Sequence, residues 1–89
     1  MPQTSAVAVT IYTTRVCAYC VAAKRLLGAR GIAYEEIDVT GDATRREWLL
    51  RETGRRTVPQ IFVRERPLGG YKELRALDQS GELAAMLAS

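Results

Sequence analysis

Two cysteines separated by two residues are the part of this sequence with the clearest chemical potential. The segment reads Cys17-Ala18-Tyr19-Cys20, and the chain contains no other cysteine. Residues three apart on a helical turn face the same side, so the two sulfurs can form a disulfide without backbone rearrangement. In a chain without secretory features, a lone pair at this spacing indicates thiol–disulfide redox chemistry.

The two cysteines are predicted to differ in reactivity because of where the following helix begins. Cys17 lies at the mouth of that helix, where unpaired backbone N–H groups and the positive end of the helix dipole favour a thiolate. A thiolate is the nucleophile in disulfide exchange. Arg15 and Lys24 add positive charge. Cys20 lies one turn further on, so we expect it to be less exposed and to resolve a mixed disulfide, with Tyr19 forming a wall of the site.

Other catalytic classes and metal sites are restricted by residue content. The sequence has no histidine, which excludes Ser–His and Cys–His catalysis, His-liganded metals and imidazole pH switches. Two thiols are half of a tetrahedral zinc site, and the other half would have to come from a second chain. Coincidental packing of two buried cysteines is the structural alternative, but their position between a strand and a helix favours redox chemistry.

Composition and charge limit the expected partners. The chain has 89 residues, of which 47% are hydrophobic and 26% charged, as in one globular domain covering residues 1–89. Its net charge is +3, but basic and acidic side chains alternate, which predicts a solvated face and no nucleic-acid partner. No apolar run approaches the ~18 residues of a membrane span, and residues 1–5 lack a signal-peptide pattern. We expect a cytoplasmic monomer that binds no membrane.

The predicted order of elements is β-α-β-α-β-β-α, an α/β fold with a small mixed four-stranded sheet covered by helices. The predicted strands cover residues 7–12, 34–39, 59–64 and 66–68. The predicted helices cover about residues 20–30, 42–53 and 71–79, followed by a final helical turn or two over 82–87. A strand–helix–strand start requires a right-handed crossover and a parallel pair, and the later hairpin adds antiparallel strands.

Several side chains have a structural interpretation. Asp42 is a predicted helix cap, Trp48 is expected to be half-buried, and Pro67 suits an edge strand because it cannot donate to a ladder. Glu65 and Arg66 are expected to form the hairpin turn. The predicted core leucines are Leu26, Leu27, Leu49, Leu50, Leu74 and Leu77. The arginines expected on a solvated face are Arg45, Arg46, Arg51 and Arg55.

A second constellation, Thr57-Val58-Pro59-Gln60, leads into the third predicted strand. Proline removes a ladder donor, so the backbone of Val58 must face something other than a neighbouring strand. From the residues alone, a trans proline that opens a strand is the default, because cis forms are only about 5–6% of such bonds.

Four blocks of the sequence, in order, resemble the glutaredoxin family of the thioredoxin superfamily, most closely its small bacterial dithiol type. They are Ile11-Tyr12-Thr13, the segment from Cys17 to Cys20, Thr57-Val58-Pro59-Gln60-Ile61-Phe62-Val63, and Gly69-Gly70 opening a helix. The resemblance covers nearly the whole chain. It implies a thioredoxin-like fold and glutathione-dependent reduction of protein disulfides and of glutathione mixed disulfides, with glutathione as co-substrate.

The resemblance also implies roles for individual residues. Cys17 would attack the substrate, and Cys20 or a second glutathione would release the product. Pro59 would be cis, so that Val58 could offer its N–H and C=O to a bound cysteinyl peptide. The glutamyl carboxylate of glutathione would meet N–H groups at the start of the last long helix, and Arg56 would reach the glycyl carboxylate. The residues expected to contact glutathione are Arg15, Tyr19, Arg56, Thr57, Val58, Pro59, Gly70, Tyr71 and Lys72.

Three departures from the family pattern leave alternatives open. Ala18 stands where the family most often has proline, which alters the redox poise, and Thr14 replaces a common lysine. Lys72-Glu73 stands where the family usually has an acidic or serine-acidic pair that holds the glutathione ammonium. Lys72 either strengthens the carboxylate contact or repels the ammonium, and Glu73 keeps one acid nearby. One alternative function is a carrier with a [2Fe–2S] cluster bridged in a dimer by one cysteine from each subunit and two glutathiones. Another is a dithiol donor reduced by thioredoxin reductase.

Overall fold

Strands and helices alternate along the first half of the chain and are followed by a β-hairpin and two helices. The computed structural model describes residues 7–88. The elements are β1 (Val9–Thr13), α1 (Ala18–Ala29), β2 (Tyr34–Asp38), α2 (Ala43–Thr53), β3 (Gln60–Val63), β4 (Arg66–Gly69), α3 (Tyr71–Ser80) and α4 (Glu82–Ala88). The predicted element order is confirmed, and the predicted final helical turns form the helix α4.

The four strands form one mixed sheet in the order β2-β1-β3-β4. β1 runs parallel to β2, with Val9 opposite Tyr34, because α1 carries the chain back across one face of the sheet. β1 runs antiparallel to β3, and β3 and β4 form the hairpin. The loops after β1 and before β3 therefore meet at one end of the sheet.

The hairpin turn lies one residue earlier than the sequence indicated. Val63 pairs with Arg66, so Arg64 and Glu65 form the turn, and Arg66 is already in β4. Arg64 has a φ of 56°, the left-handed conformation that a tight two-residue turn requires. Pro67 lies in the edge strand, as predicted, next to a register irregularity between Ile61 and Phe62.

Alternating side chains of the central strands divide the core into two clusters, one on each face of the sheet. The first cluster joins β1 and β3 to α1, α3 and α4, and its buried members are Val9, Ile11, Ala23, Leu27, Ile61, Val63, Leu74 and Leu83. The second joins the same strands to α2, and its buried members are Tyr12, Val39, Leu49 and Phe62. The half-buried Trp48 stacks on Phe62 in this second cluster, at 5.7 Å between ring centroids. Helices thus cover both faces of the sheet.

The predicted cap of α2 is confirmed, whereas part of the predicted leucine core is less buried than expected. The Asp42 carboxylate accepts a hydrogen bond from the Arg45 N–H at 3.0 Å, and Gly54 ends α2 in the left-handed conformation. Leu50 is half-buried and belongs to neither cluster, because it points to a different side of α2 from Leu49. Within residues 7–88, no helix has the length and apolar character that crossing a bilayer requires.

Candidate redox site

Cys17 is the N-cap of α1, so the helix begins at Ala18, two residues before the predicted start. The sulfur of Cys17 accepts a hydrogen bond from the Cys20 backbone N–H at 3.1 Å. No acidic residue lies in the first turn of α1. The free N–H groups and the positive end of the helix dipole therefore act on this sulfur without an opposing charge.

The two cysteines form a disulfide and differ in exposure. Their Cα atoms are 5.2 Å apart. Cys20 is only 2% exposed and packs inside the helix turn, whereas Cys17 is half-buried at the surface. Next to them, Val16 is 96% exposed and Tyr19 is 66% exposed. A partner can therefore reach the Cys17 sulfur, while the Cys20 sulfur is covered.

The loop before β3 brings its backbone to the disulfide. The peptide bond between Val58 and Pro59 is cis, as the resemblance implied. The carbonyl oxygen of Val58 lies 3.7 Å from the Cys17 sulfur. Pro59 is buried, whereas Thr57 is exposed. Backbone polar groups at this turn thus lie beside the sulfur that a partner can reach.

The start of α3 packs closely against this loop, and two glycines allow this close approach. A Cβ atom on Gly70 would lie 3.3 Å from the Pro59 carbonyl oxygen. Gly69 has a φ of 114°, and a Cβ atom there would meet the side chain of Glu73. Glu73 accepts a hydrogen bond from the Gly70 N–H at 2.8 Å and so caps the first turn of α3.

These three segments enclose an open recess of about 360 Å³ beside the disulfide, here called the site recess. It brings together seven of the residues that the sequence assigned to glutathione contact, and it adds Arg55 and Glu73. The residues that line it are Tyr19, Arg55, Thr57, Val58, Pro59, Gly70, Tyr71, Lys72 and Glu73. The rings of Tyr19 and Tyr71 stack at 6.1 Å between centroids and form one wall.

Two of the predicted contact residues lie outside the site recess. Arg56 lines a separate recess with Arg46 at the start of α2, and its carbonyl oxygen accepts a hydrogen bond from the Arg46 guanidinium at 3.1 Å. Arg15 lies in the loop before Cys17, where its N–H donates to the hydroxyl oxygen of Thr40 at 3.0 Å. Neither is among the described residues that line the site recess.

Arg55 is the residue of the site recess that sequence reasoning missed. It was assigned to a solvated face, but its guanidinium bonds the Glu73 carboxylate at 3.1 Å and 3.4 Å. No local signal separates Arg55 from Arg56, because both lie in the irregular segment between α2 and β3.

Charged groups around the site are paired in ways that the sequence did not indicate. The Arg55 guanidinium and the Gly70 N–H hold the pKa of Glu73 below its usual range. Lys24 was expected to add to the field at Cys17, but its ammonium lies 3.0 Å from the Glu36 carboxylate. The pKa of Glu36 is lowered, chiefly by a hydrogen bond from the Thr13 hydroxyl and to a smaller extent by the hydrogen bond from Lys24. Lys72 is exposed and forms no ion pair with the described residues, so it presents its charge to the site recess.

Metal binding would need groups from outside this chain. Among residues 7–88, no three Cys, His, Asp or Glu side chains lie together as a set that could hold a metal ion. An iron–sulfur cluster is commonly held by four thiolates, and of the two cysteines here one is buried. The cluster-bridged dimer therefore stays a prediction, since a second subunit and external thiols would have to supply the remaining ligands.

Comparison with known proteins places these features in one family. The family model described as Glutaredoxin matches residues 9–68. Glutaredoxin 3 of Escherichia coli (strain K12) is 43% identical over 79 residues, which cover 89% of this chain and 95% of that protein. A glutaredoxin of Pseudomonas aeruginosa is 43% identical over 81 residues, covering 91% of this chain and 96% of that protein.

Solved structures agree with the sequence relatives. The crystal structure of a buckwheat glutaredoxin–glutathione complex matches with a TM-score of 0.85 at 27% identity, covering 92% of this chain and 77% of that chain. The solution structure of glutaredoxin from Brucella melitensis matches with a TM-score of 0.81 at 40% identity, covering 91% and 88%. The fold is therefore thioredoxin-like, and the chain belongs to the glutaredoxin family of thiol–disulfide oxidoreductases.

Proposed function

We propose that the protein is a glutathione-dependent oxidoreductase that reduces protein disulfides and glutathione mixed disulfides through Cys17 and Cys20. The observation that carries the proposal is the site recess, which opens beside the disulfide and offers backbone groups, an aromatic wall and two cations. The related buckwheat protein has been solved as a complex with glutathione, which supports the same small thiol as the ligand here.

The reaction on a protein disulfide proceeds in two exchange steps. The Cys17 thiolate attacks one substrate sulfur, the substrate S–S bond breaks, and the second substrate sulfur leaves as a thiolate that takes a proton from solvent. Cys20 then loses its proton and attacks the Cys17 sulfur. This step forms the Cys17–Cys20 disulfide and releases the first substrate sulfur as a thiol. Two electrons pass from the protein dithiol to the substrate.

Glutathione returns the protein to the dithiol state. One glutathione thiolate attacks the Cys17 sulfur and displaces Cys20 as a thiol. A second glutathione thiolate attacks the bound glutathione sulfur, which releases glutathione disulfide and restores the Cys17 thiolate. A substrate that is itself a mixed disulfide with glutathione needs only Cys17: its attack on the glutathione sulfur expels the substrate thiol, and one further glutathione completes the cycle.

The start of α1 stabilises the anionic sulfur in these steps. A thiolate at Cys17 accepts the Cys20 N–H, which already lies 3.1 Å from the sulfur. The helix dipole adds to this interaction because no acidic residue opposes it in the first turn. The burial of Cys20 keeps the second thiol out of reach of solvent oxidants until the mixed disulfide forms beside it.

Glutathione is proposed to bind along the site recess with its sulfur at Cys17. The backbone of Val58 pairs with the cysteinyl residue, and the N–H groups of Tyr71 and Lys72 at the start of α3 receive the glutamyl carboxylate. We assign the direct contact with the glycyl carboxylate to Arg55, because Arg55 lines the site recess. Arg15 and Arg56 add positive charge from outside it, and Thr57 and Tyr19 flank the bound thiol.

The compartment that suits this cycle is the cytoplasm. Reduced glutathione keeps thiols reduced there, so the Cys17–Cys20 disulfide can be returned to the dithiol after each turnover. A monomer is sufficient for every step, since both sulfurs and all residues of the site recess belong to one chain.

Turnover of a small glutathione mixed disulfide, coupled to glutathione reductase and NADPH, tests the proposal. The wild-type protein is expected to turn over. Cys17→Ser is expected to reduce turnover to the uncatalysed background, because the remaining thiol, Cys20, is buried. A folded, reduced wild-type protein without activity would contradict the glutathione dependence. Activity with thioredoxin reductase in place of glutathione would then identify the other electron donor.

Cys20→Ser separates the two substrate classes in the same assay. This variant is expected to retain turnover of the small mixed disulfide and to lose reduction of a protein disulfide, because only the second reaction needs a resolving thiol. Equal loss in Cys17→Ser and Cys20→Ser on the mixed disulfide would show that the assigned roles are wrong.

A further inference from the structure

A second recess begins where the site recess ends. It lies between α1 and α3, has a volume of about 490 Å³, and is here called the α1–α3 groove. Tyr71 lines both the groove and the site recess. From Ala22 and Tyr71 the groove runs along α1 and α3, away from the redox site at which both helices start.

The residues that line the groove fall on one face of each helix. Four of them lie on α1 at helical spacing: Ala22, Arg25, Leu26 and Ala29. On α3 the lining continues from Tyr71 through Arg75 to Asp78. The apolar part of the lining consists of Ala22, Leu26 and Ala29 on α1 and the ring of Tyr71. The groove is therefore a shallow apolar channel with charged side chains along its two rims.

Those charges are predominantly positive, and two of them are unpaired. Arg25 on α1 and Arg75 on α3 are exposed and form no ion pair with any other residue among 7–88. Asp78 is the one acidic residue among the described residues of the groove. The Arg30 guanidinium already donates hydrogen bonds to the Asp78 carboxylate. Nε of Arg30 lies 2.9 Å from Oδ1 and 3.2 Å from Oδ2, and Nη2 lies 3.0 Å from Oδ2.

The positive charge continues into the site recess. Lys72 follows Tyr71 and is also unpaired within the described chain, and the single carboxylate there, Glu73, is bonded by Arg55 and by the Gly70 N–H. A ligand that extends from Cys17 past Tyr71 thus meets three free cations and no free carboxylate. The recess at Arg56 and Arg46 also contains Glu47, and none of its described lining residues is shared with the redox site.

We infer that the α1–α3 groove binds acidic side chains close to the reactive cysteine of a protein substrate, so that the enzyme prefers disulfides in acidic segments of polypeptides. The inference rests on the part of the proposed function in which Cys17 attacks a protein disulfide. The occupant is a polypeptide because the groove adjoins the site recess at Tyr71, so a chain that extends from a cysteine bound at Cys17 can enter it. Carboxylates on that chain complement Arg25 and Arg75.

The helix geometry sets the spacing of such a substrate. Arg25 is eight residues beyond Cys17, about 12 Å along the axis of α1, and Arg75 is one turn beyond Tyr71, about 6 Å along the axis of α3. An extended peptide advances about 3.3 Å per residue. Carboxylates about two to four residues from the substrate cysteine therefore reach the arginines while the cysteine stays at Cys17.

A single-turnover experiment without glutathione tests this preference. The reduced protein is mixed with symmetric disulfides of short peptides that contain one cysteine, and the rate of protein oxidation is followed by acid quenching, alkylation and mass spectrometry. One peptide carries two glutamates before the cysteine, a second carries them after it, and two matched peptides carry glutamine at the same positions.

One of the glutamate peptides is expected to react about three- to ten-fold faster than its glutamine match, because steering and surface ion pairs each contribute modestly. The advantage is expected to shrink at high salt, since the arginines are exposed. The double variant Arg25→Gln/Arg75→Gln is expected to lose most of the advantage and to keep the rate of the glutamine peptide. Arg51→Gln, an exposed arginine of α2, is the matched control and is expected to keep the advantage.

Three results would overturn the inference: no preference for either glutamate peptide, a preference that survives in the double variant, or an equal loss in Arg51→Gln. Because the assay contains no glutathione, these results are distinct from a failure of glutathione dependence, which the coupled assay reports. No reaction with any peptide would overturn both the dithiol mechanism and the inference.

Discussion

The two sulfurs of the redox site are chemically alike but differ in their exposure to solvent. Cys17 lies at the surface as the cap of α1, with the Val58 carbonyl oxygen 3.7 Å away. Cys20 is inside the first turn of the same helix and buried. A single helix start therefore leaves one sulfur at the surface and covers the other, which is the arrangement that the proposed exchange mechanism needs.

Adjacent arginines in the loop before β3 likewise have different environments. Arg55 lines the site recess and bonds Glu73, whereas Arg56 lies in the recess at the start of α2. Neighbouring positions in this irregular loop thus line different recesses, so one position of sequence decides which arginine meets a ligand.

Substitution of each arginine in turn tests this assignment. We expect Arg55→Gln to raise the KM for a glutathione mixed disulfide about two- to five-fold, the range of an exposed ion pair. The kcat is expected to change little because Arg55 does not touch the sulfurs. Arg56→Gln is the matched variant and is expected to have a smaller effect on KM. A larger effect from Arg56→Gln would contradict this assignment and would indicate that Arg56 contacts the glycyl carboxylate.

At the scale of elements, Glu73 joins the start of α3 to the loop before β3. Its carboxylate accepts from the Gly70 N–H at 2.8 Å and from Arg55 at 3.1 Å. Gly69 leaves room for this side chain, and Gly70 lets the helix approach the Pro59 carbonyl. The shape of the site recess therefore depends on one carboxylate, which is held by the Arg55 guanidinium and the Gly70 N–H.

This arrangement predicts a pH dependence of stability. The Arg55 guanidinium, followed by the Gly70 N–H, lowers the folded-state pKa of Glu73. The stabilisation is thus present above the usual glutamate pKa of about 4.3 and is lost as the pH falls through the lower folded value. We expect Glu73→Gln to reduce the free energy of unfolding near neutral pH and to show a smaller further loss upon acidification than the wild type.

Chemical denaturation at a series of pH values between about 6 and about 3 measures this difference. Some acid sensitivity is expected to remain in Glu73→Gln, because hydrogen bonds also lower the pKa values of Glu36 and Asp38. Glu52→Gln is the control, since Glu52 forms no ion pair with the described residues. Parallel pH profiles for the wild type and Glu73→Gln would contradict the prediction.

At the scale of the whole molecule, the sheet carries two apolar clusters of unequal size. The larger lies under α1, α3 and α4, and the smaller is an aromatic group of Tyr12, Trp48 and Phe62 under α2. Val58 packs against the smaller cluster. The loop that presents its backbone to Cys17 is therefore supported from the α2 face, while the helix that carries Cys17 is held on the other face.

Neighbouring leucines on α2 test this division of the core. Leu49 is 3% exposed within the smaller cluster, so Leu49→Ala is expected to lower the free energy of unfolding by about 2–5 kcal/mol. Leu50 is half-buried outside both clusters, so Leu50→Ala is expected to cost about 1 kcal/mol or less. Urea denaturation of both variants measures the difference. Equal losses would show that the second cluster does not contribute as described.

Much of the fold follows from local patterns. The alternation along β1 places Val9 and Ile11 in one apolar cluster and Tyr12 in the other. Asp42 and Gly54 mark the two ends of α2. The cysteine spacing indicates one helical turn. Local sequence was less reliable at the hairpin, where the turn lies at Arg64 and Glu65, and at Leu50. In both cases the pairing of strands and the packing of a helix face, rather than propensity, decided the position.

By itself, the sequence determined the pair of thiols, the position of one of them at a helix start and the order of elements, because each depends on residues within a few positions of one another. Only the tertiary structure decided that Val58 meets Cys17 across 41 positions, that Arg55 meets Glu73, and that Arg30 bonds Asp78 across 48. These contacts depend on how the helices pack on the two faces of the sheet. That packing is a collective result of burying distant apolar side chains, which no local spacing encodes.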